Sequence, residues 1–215
     1  LVPAVSAGSA SSVVSAMLSR MVGQPTPVES REEWGPLSCR AQFQPTSVNA
    51  EARTVEVVFS TGAPVERRNW MTDQRYSETL SLKPGHVRLD RLNAGAPFLN
   101  SHSSDGLADV LGVVEPGSVK LGKDARATVR FSKRADVEPI WRDVQDGILR
   151  HVSVGYRVHK FEKTEEDGQT VRLHAGDWEP YEISAVPIGA DPGAQIRSTA
   201  KLPTNPCVIV PRVEH

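Results

Sequence analysis

Three side chains, met in chain order, together have the chemistry to cut an acyl bond: His102, Ser153 and Glu182. A serine hydroxyl is a poor nucleophile until a base takes its proton, and an imidazole does this near neutral pH. The imidazole works best when a third group fixes its tautomer and stabilises the imidazolium. Ser153 lies in the stretch Gly-Ile-Leu-Arg-His-Val-Ser-Val-Gly-Tyr-Arg, residues 147–157. Period two puts Val152, Val154, Tyr156 and Val158 on one strand face and His151, Ser153, Gly155 and Arg157 on the other. The first is a core face. The second sets a hydroxyl beside a glycine, which in a strand often marks a close backbone approach.

His102 follows the apolar pair Phe98-Leu99 and stands among small polar residues. A histidine at the edge of such an anchor is positioned and still reached by solvent, which suits a general base. Glu182 shares a strand face with Ser184, while Tyr181, Ile183 and Ala185 take the other. A carboxylate on a mostly apolar strand needs a partner, because burying it unpaired is costly. His102 is one candidate partner, and a salt bridge to Arg157 is another. Asp177 and Glu179 are the alternative carboxylates, and His151 and His159 the alternative bases. As strand neighbours of Ser153, those two histidines point outward alongside it and reach its hydroxyl poorly. His102 with Asp105 and Asp109 suggests a metal site, but no second histidine has ligand spacing.

The elements that must position these groups are mostly strands. Leu37, Cys39, Ala41 and Phe43 alternate with polar residues, and a turn around Asn49 leads to the β-branched run 54–61. Residues 62–75 read as a polar loop whose arginines, Arg67 and Arg68 among them, are solvated. Strand patterns return at 76–82, 110–114, 119–121 and 125–131. One clear helix carries the apolar stripe Val137, Ile140, Trp141, Val144 and Ile148, with Asp136 as N-cap, Pro139 in the first turn and Gly147 as terminator. The Ser153 strand then runs to Phe161, and a charged hairpin follows at 165–168. The last core strands span 171–173 and about 178–186, before turn chemistry at Ala190-Asp191-Pro192-Gly193. Many short strands with one helix predict a mainly β fold, an antiparallel β-barrel with peripheral helices.

The ends differ from this middle. Residues 1–33 are expected to be a leader or linker with one short helix, in which Val13, Val14, Met17, Leu18, Met21 and Val22 recur at helical spacing. Residues 34–197 are the expected domain, and 198–215 a loose C-terminal tail. The chain starts at Leu1 without the charged leader of a secretory signal, so it is expected to be a processed product or a piece of a longer polypeptide. A formal net charge of -1 gives no bulk basic field, so no direct nucleic-acid site is expected. No apolar run approaches membrane-spanning length. Cys39 and Cys207 are far apart with no CxxC, which argues against structural zinc and for free thiols in a reducing cytosol.

Leu-Asn-Ser-His (99–102), the helix, Gly-Ile-Leu-Arg-His-Val-Ser-Val-Gly-Tyr (147–156) and Glu-Ile-Ser-Ala-Val-Pro (182–187) together resemble the prohead maturation serine proteases of tailed bacteriophages. The resemblance covers roughly residues 38–197. It implies a β-barrel with surrounding helices, similar to herpesvirus assemblin. It also implies a serine endopeptidase that cleaves scaffold and capsid-protein segments, and itself, inside the immature head in the host cytoplasm. It matches His102 to the family's base and Ser153 to its nucleophile, with Glu182 the best-placed third member. Ser101 stands between Asn100 and His102, where the family often has the two adjacent. No cofactor is implied. The implied partners are capsid and scaffold proteins of the immature head, and the chain itself as a homo-oligomer. The second function class is a non-catalytic capsid-assembly or scaffold protein that keeps the protease fold.

Overall fold

The computed structural model describes residues 29–34, 37–43, 47–69, 73–165, 170–187 and 205–212. The predicted N-terminal helix, most of the charged hairpin at 165–168 and the turn at 190–193 lie outside them. The described chain is mainly β. Its strands are β1 (Ser30–Trp34), β2 (Leu37–Phe43), β3 (Thr54–Ser60), β4 (Val65–Arg68), β5 (Arg75–Leu80) and β6 (Pro97–Asn100). There follow β7 (Val110–Val114), β8 (Lys120–Leu121), β9 (Ala125–Phe131), β10 (His151–Thr164), β11 (Val171–Val186) and β12 (Asn205–Pro211). Two short helices are α1 (Asp90–Asn93) and α2 (Glu138–Gln145).

Hydrogen bonds connect the strands in the order β1-β12-β10-β2-β3-β9-β7-β6-β11-β5-β4, with β8 on β9 and a further pairing of β10 with β11. Most neighbours are antiparallel, as predicted. Three pairings are parallel instead: β10 with β12, β11 with β5 and β11 with β6. β10 is long enough to serve several neighbours: residues 151–156 pair with β2 and residues 160–163 with β12. β9 shows the plainest alternation, with Ala125, Ala127, Val129 and Phe131 buried. Phe98, Phe131 and Trp141 form one aromatic cluster, with neighbouring ring centroids 5.1 and 5.0 Å apart. Burying a side chain of this kind contributes on the order of 1.5–3 kcal/mol.

The structure corrects the sequence reading in several places. Residues 65–68 are a strand, not a polar loop, and Arg67 points inward to an ion pair with the buried Glu78. Residues 171–186 form one strand rather than two, because β-bulges absorb the irregularities at Asp177 and Pro180. A proline cannot donate to a ladder, so a bulge is where a strand tolerates one. The C-terminal stretch is not loose throughout: β12 inserts between β1 and β10, and Cys207 is buried.

The helix before β10 also differs in detail. Its N-cap is Val137, with no capping side chain, because the Asp136 carboxylate is drawn to Arg134. Arg134 in turn donates to the carbonyls of Leu107, Ala108 and Val110, and so ties down the loop after His102. At the C-terminal end Gly147 adopts φ 70°, and Gly147 N–H and Ile148 N–H donate to Val144 and Asp143 carbonyls. This is a Schellman end, which reverses the chain sharply into β10. Ile148 lies beyond it and is 70% exposed, so it does not belong to the buried stripe of Trp141 and Val144.

Candidate active site

The site is assembled on three adjacent strands, β6, β11 and β10. In the antiparallel β10–β11 pair, Ser153 stands opposite Ser184, and Gly155 opposite Glu182. Directly opposed residues share a sheet face, so all four are on one side. That side is not wet: Ser153, Glu182 and Ser184 are 2%, 3% and 0% exposed. The opposite face of β10, with Val152, Val154, Tyr156 and Val158, is buried as the alternation predicts. A register shift between Gly155 and Tyr156 leaves Tyr181 as an extra residue on β11, next to Glu182. Tyr181 therefore leaves the buried row of Ile183 and Ala185. Its ring carries the Arg91 and Arg157 guanidinium groups at 5.6 and 5.0 Å instead. Bulges of this kind re-aim side chains beside functional sites.

His102 comes from the end of β6. Phe98 and Leu99, 0% and 5% exposed, fix that strand against β11 through pairs to Ile183 and Ser184. Beyond Asn100 the backbone turns through two left-handed residues, Ser101 at φ 50° and His102 at φ 64°. Such conformations cost about 1–2 kcal/mol each for residues with a Cβ. The turn is held by Ser101 N–H to the Ala185 carbonyl at 2.9 Å, His102 N–H to Ser184 Oγ at 3.0 Å and Ser103 N–H to the Asn100 carbonyl at 2.9 Å. It returns the imidazole toward β11, where Nδ1 is 2.6 Å from Glu182 Oε1. An ionised carboxylate only accepts, so Nδ1 carries the hydrogen and Nε2 is the basic nitrogen of the neutral ring. Ser184 Oγ–H donates to the other oxygen, Glu182 Oε2, at 2.6 Å. Both carboxylate oxygens are therefore engaged.

Gly155 is required for this arrangement. A Cβ there would lie 2.0 Å from Glu182 Oε1 and 2.8 Å from its Cδ. The glycine thus makes room for a carboxylate laid across the strand, so what approaches closely at this position is the Glu182 side chain rather than another backbone.

The structure brings His102 and Glu182 into contact and sets Ser153 on the same face, on the strand next to Glu182, with β11 between it and the strand that carries His102. It disperses the alternatives. Asp177 is paired with Arg88 at 2.5–2.7 Å, and Glu179 with His159 at 3.3 Å. Arg157, the other proposed partner for Glu182, is stacked on Tyr181. His151 stands at the end of β10 opposite Val186. Asp109 is engaged by Ser103, the main cause of its lowered pKa, and then by Gly106 N–H. No group of three or more His, Cys, Asp or Glu side chains among the described residues is placed to hold a metal ion. The i, i+2 spacing puts Ser184 on the face of Glu182, but sequence reasoning gives it no role in the site.

The family of caudovirus prohead serine proteases matches residues 73–205, more than half of the chain. The major capsid protein of Halomonas phage phiHAP-1 is 38% identical over 123 residues, which is 57% of this chain. The match spans only 20% of that capsid protein's own length. No solved structure matches the chain.

Proposed function

Because this chain belongs to the family of caudovirus prohead serine proteases, we propose that it is a serine endopeptidase of phage head maturation with Ser153 as nucleophile, His102 as general base and Glu182 as the group that orients it. The observation that carries the reading is the 2.6 Å contact of His102 Nδ1 with a buried Glu182 that shares a sheet face with Ser153. His102 Nε2 takes the Ser153 proton as Oγ attacks the scissile carbonyl carbon. The imidazolium, stabilised by Glu182, then returns that proton to the leaving amine. Water attacks the acyl-enzyme in the second half of the cycle, again with His102 as base. No cofactor enters these steps.

The substrates in this reading are segments of scaffold and capsid proteins, and the chain itself, inside the assembling prohead in the host cytoplasm. Residues 34–197 form the protease domain, between a leader at 1–33 and a C-terminal tail at 198–215. The tail reaches back to the domain through β12. The additional β10–β11 pairing supports a barrel of assemblin type, because the pairings β10-β2-β3-β9-β7-β6-β11 then lead back to β10.

Likeness to a major capsid protein favours a second reading, a capsid-assembly protein that keeps the protease fold without cutting. Ser153→Ala separates the two. The change removes one oxygen from a packed strand and leaves the fold intact. Incubation with capsid and scaffold proteins, followed by intact mass, should show cleavage by wild type and none by the variant. Equal cleavage by both would overturn Ser153 as nucleophile, and no cleavage by either would favour the assembly reading.

A further inference from the structure

Ser184 has one hydroxyl, is fully buried, and touches two parts of the candidate site at once. Its hydrogen goes to Glu182 Oε2 at 2.6 Å, and its oxygen accepts the His102 backbone N–H at 3.0 Å. It is also central by register. On β11 it stands opposite Ser153 of β10 on one side and opposite Leu99 of β6 on the other, three residues before His102. We propose that Ser184 is a positioning residue that couples the left-handed backbone turn at His102 to the orientation of the Glu182 carboxylate, so that imidazole and carboxylate are set as one unit. This proposal rests on the catalytic reading of His102 and Glu182.

A residue with a Cβ keeps φ 64° only when its surroundings over-determine it, and the His102 amide has Ser184 Oγ as its acceptor. A carboxylate can swing about its terminal torsion, and Glu182 is held at both oxygens, by His102 Nδ1–H at one and Ser184 at the other. Removing the hydroxyl takes away one of the three hydrogen bonds that hold the turn and one of the two that hold the carboxylate, so both loosen together, although neither reacting group is changed. The hydroxyl hydrogen is committed to the carboxylate, so Ser184 is not a rival nucleophile to Ser153. It acts through the other two groups.

The test compares wild type with Ser184→Ala and Ser184→Cys, whose thiol keeps a weak donor and acceptor. The protein is labelled with ¹⁵N-histidine, and the His102 signals are assigned by their loss in His102→Gln. Wild type should show a single Nδ1–H tautomer with a low-field Nδ1 proton. Ser184→Ala should move that proton upfield and mix the tautomers. It should also lower kcat about tenfold or more, the weight of one lost hydrogen bond to a charged group, with KM kept within about twofold. Ser184→Cys should fall between the two, and it decides the question if the alanine variant does not fold. An unchanged His102 signal with unchanged kcat in a folded variant would overturn the coupling. So would a wild type without the Nδ1–H tautomer. Shifted ring signals in proteins that cut no substrate would instead uphold the coupling and defeat the protease reading.

Discussion

Gly155 and Glu182 face each other across β10 and β11, and the carboxylate lies where a side chain at 155 would begin. The two positions are therefore one structural decision: the acidic residue sits across the strand only because its opposite number has no Cβ. Glu182 is buried and hydrogen-bonded at both oxygens, so a methyl group at 155 cannot be met by a small sideways motion.

Gly155→Ala should accordingly expel the carboxylate from His102. The expected result is a folded protein, destabilised by about 1–3 kcal/mol from overpacking. Its kcat should fall about 10²–10⁴-fold, the range of a lost contribution to acid–base catalysis. Glu182→Gln, which keeps the shape and loses the charge, sets the scale for comparison. Urea melts and peptide kinetics on the two variants check this. A Gly155→Ala enzyme with wild-type kcat would show that the carboxylate need not lie across residue 155.

The ion pair of Arg67 and Glu78 carries a second prediction, for stability rather than rate. Glu78 is 2% exposed, and its Oε2 also accepts the Tyr156 hydroxyl hydrogen at 2.9 Å. Arg67 Nη2 donates to the same hydroxyl at 2.8 Å. Tyr76, opposite Arg67 in the β4–β5 pair, has its phenol pushed up by burial first and the Glu78 charge second, with Arg67 pulling it down. Arg67→Met strands a buried charge and should cost about 3–5 kcal/mol, whereas Arg67→Met with Glu78→Met should recover most of that loss. Denaturant unfolding of the single and double variants measures the difference. A single variant as stable as wild type would mean that the pair contributes nothing.

What the sequence made legible follows from where the physics is local. Alternation in β9 and β10 is set by neighbours two residues apart, so the core faces and the Ser153 position were readable. The need of Glu182 for a partner is equally local, set by its apolar strand neighbours, and His102 is that partner. Arg67 looked solvated because Glu78, the group that draws it inward, lies eleven residues on, in a strand not yet paired. β12 looked loose because Pro206 and Pro211 are strand breakers by themselves. Its order comes from β10, more than forty residues earlier. Ser184 was legible as a neighbour of Glu182 on one face but carried no role there, because a serine's two hydrogen bonds cannot be counted until the turn at His102 is in place.

His174 gives a pH dependence whose sign can be worked out. It lies on β11, opposite Thr79 of β5 and Glu162 of β10. Its pKa is lowered from the ordinary 6.5, by burial first, against a rise from Glu162, with Arg212, His86 and Lys83 adding to the lowering. The unfolded chain then takes a proton near 6.5 while the folded chain still declines it. Between the folded value and 6.5 the unfolded state binds more protons, so stability rises with pH there. As pH falls through 6.5 the protein loses stability, and the loss levels off once the folded state is protonated too. His174→Gln removes the titration and should flatten this part of the profile while leaving stability above neutral pH little changed. Urea melts of both proteins between pH 5 and 8 measure it. Parallel profiles would assign the slope to the other histidines and remove His174 as its source.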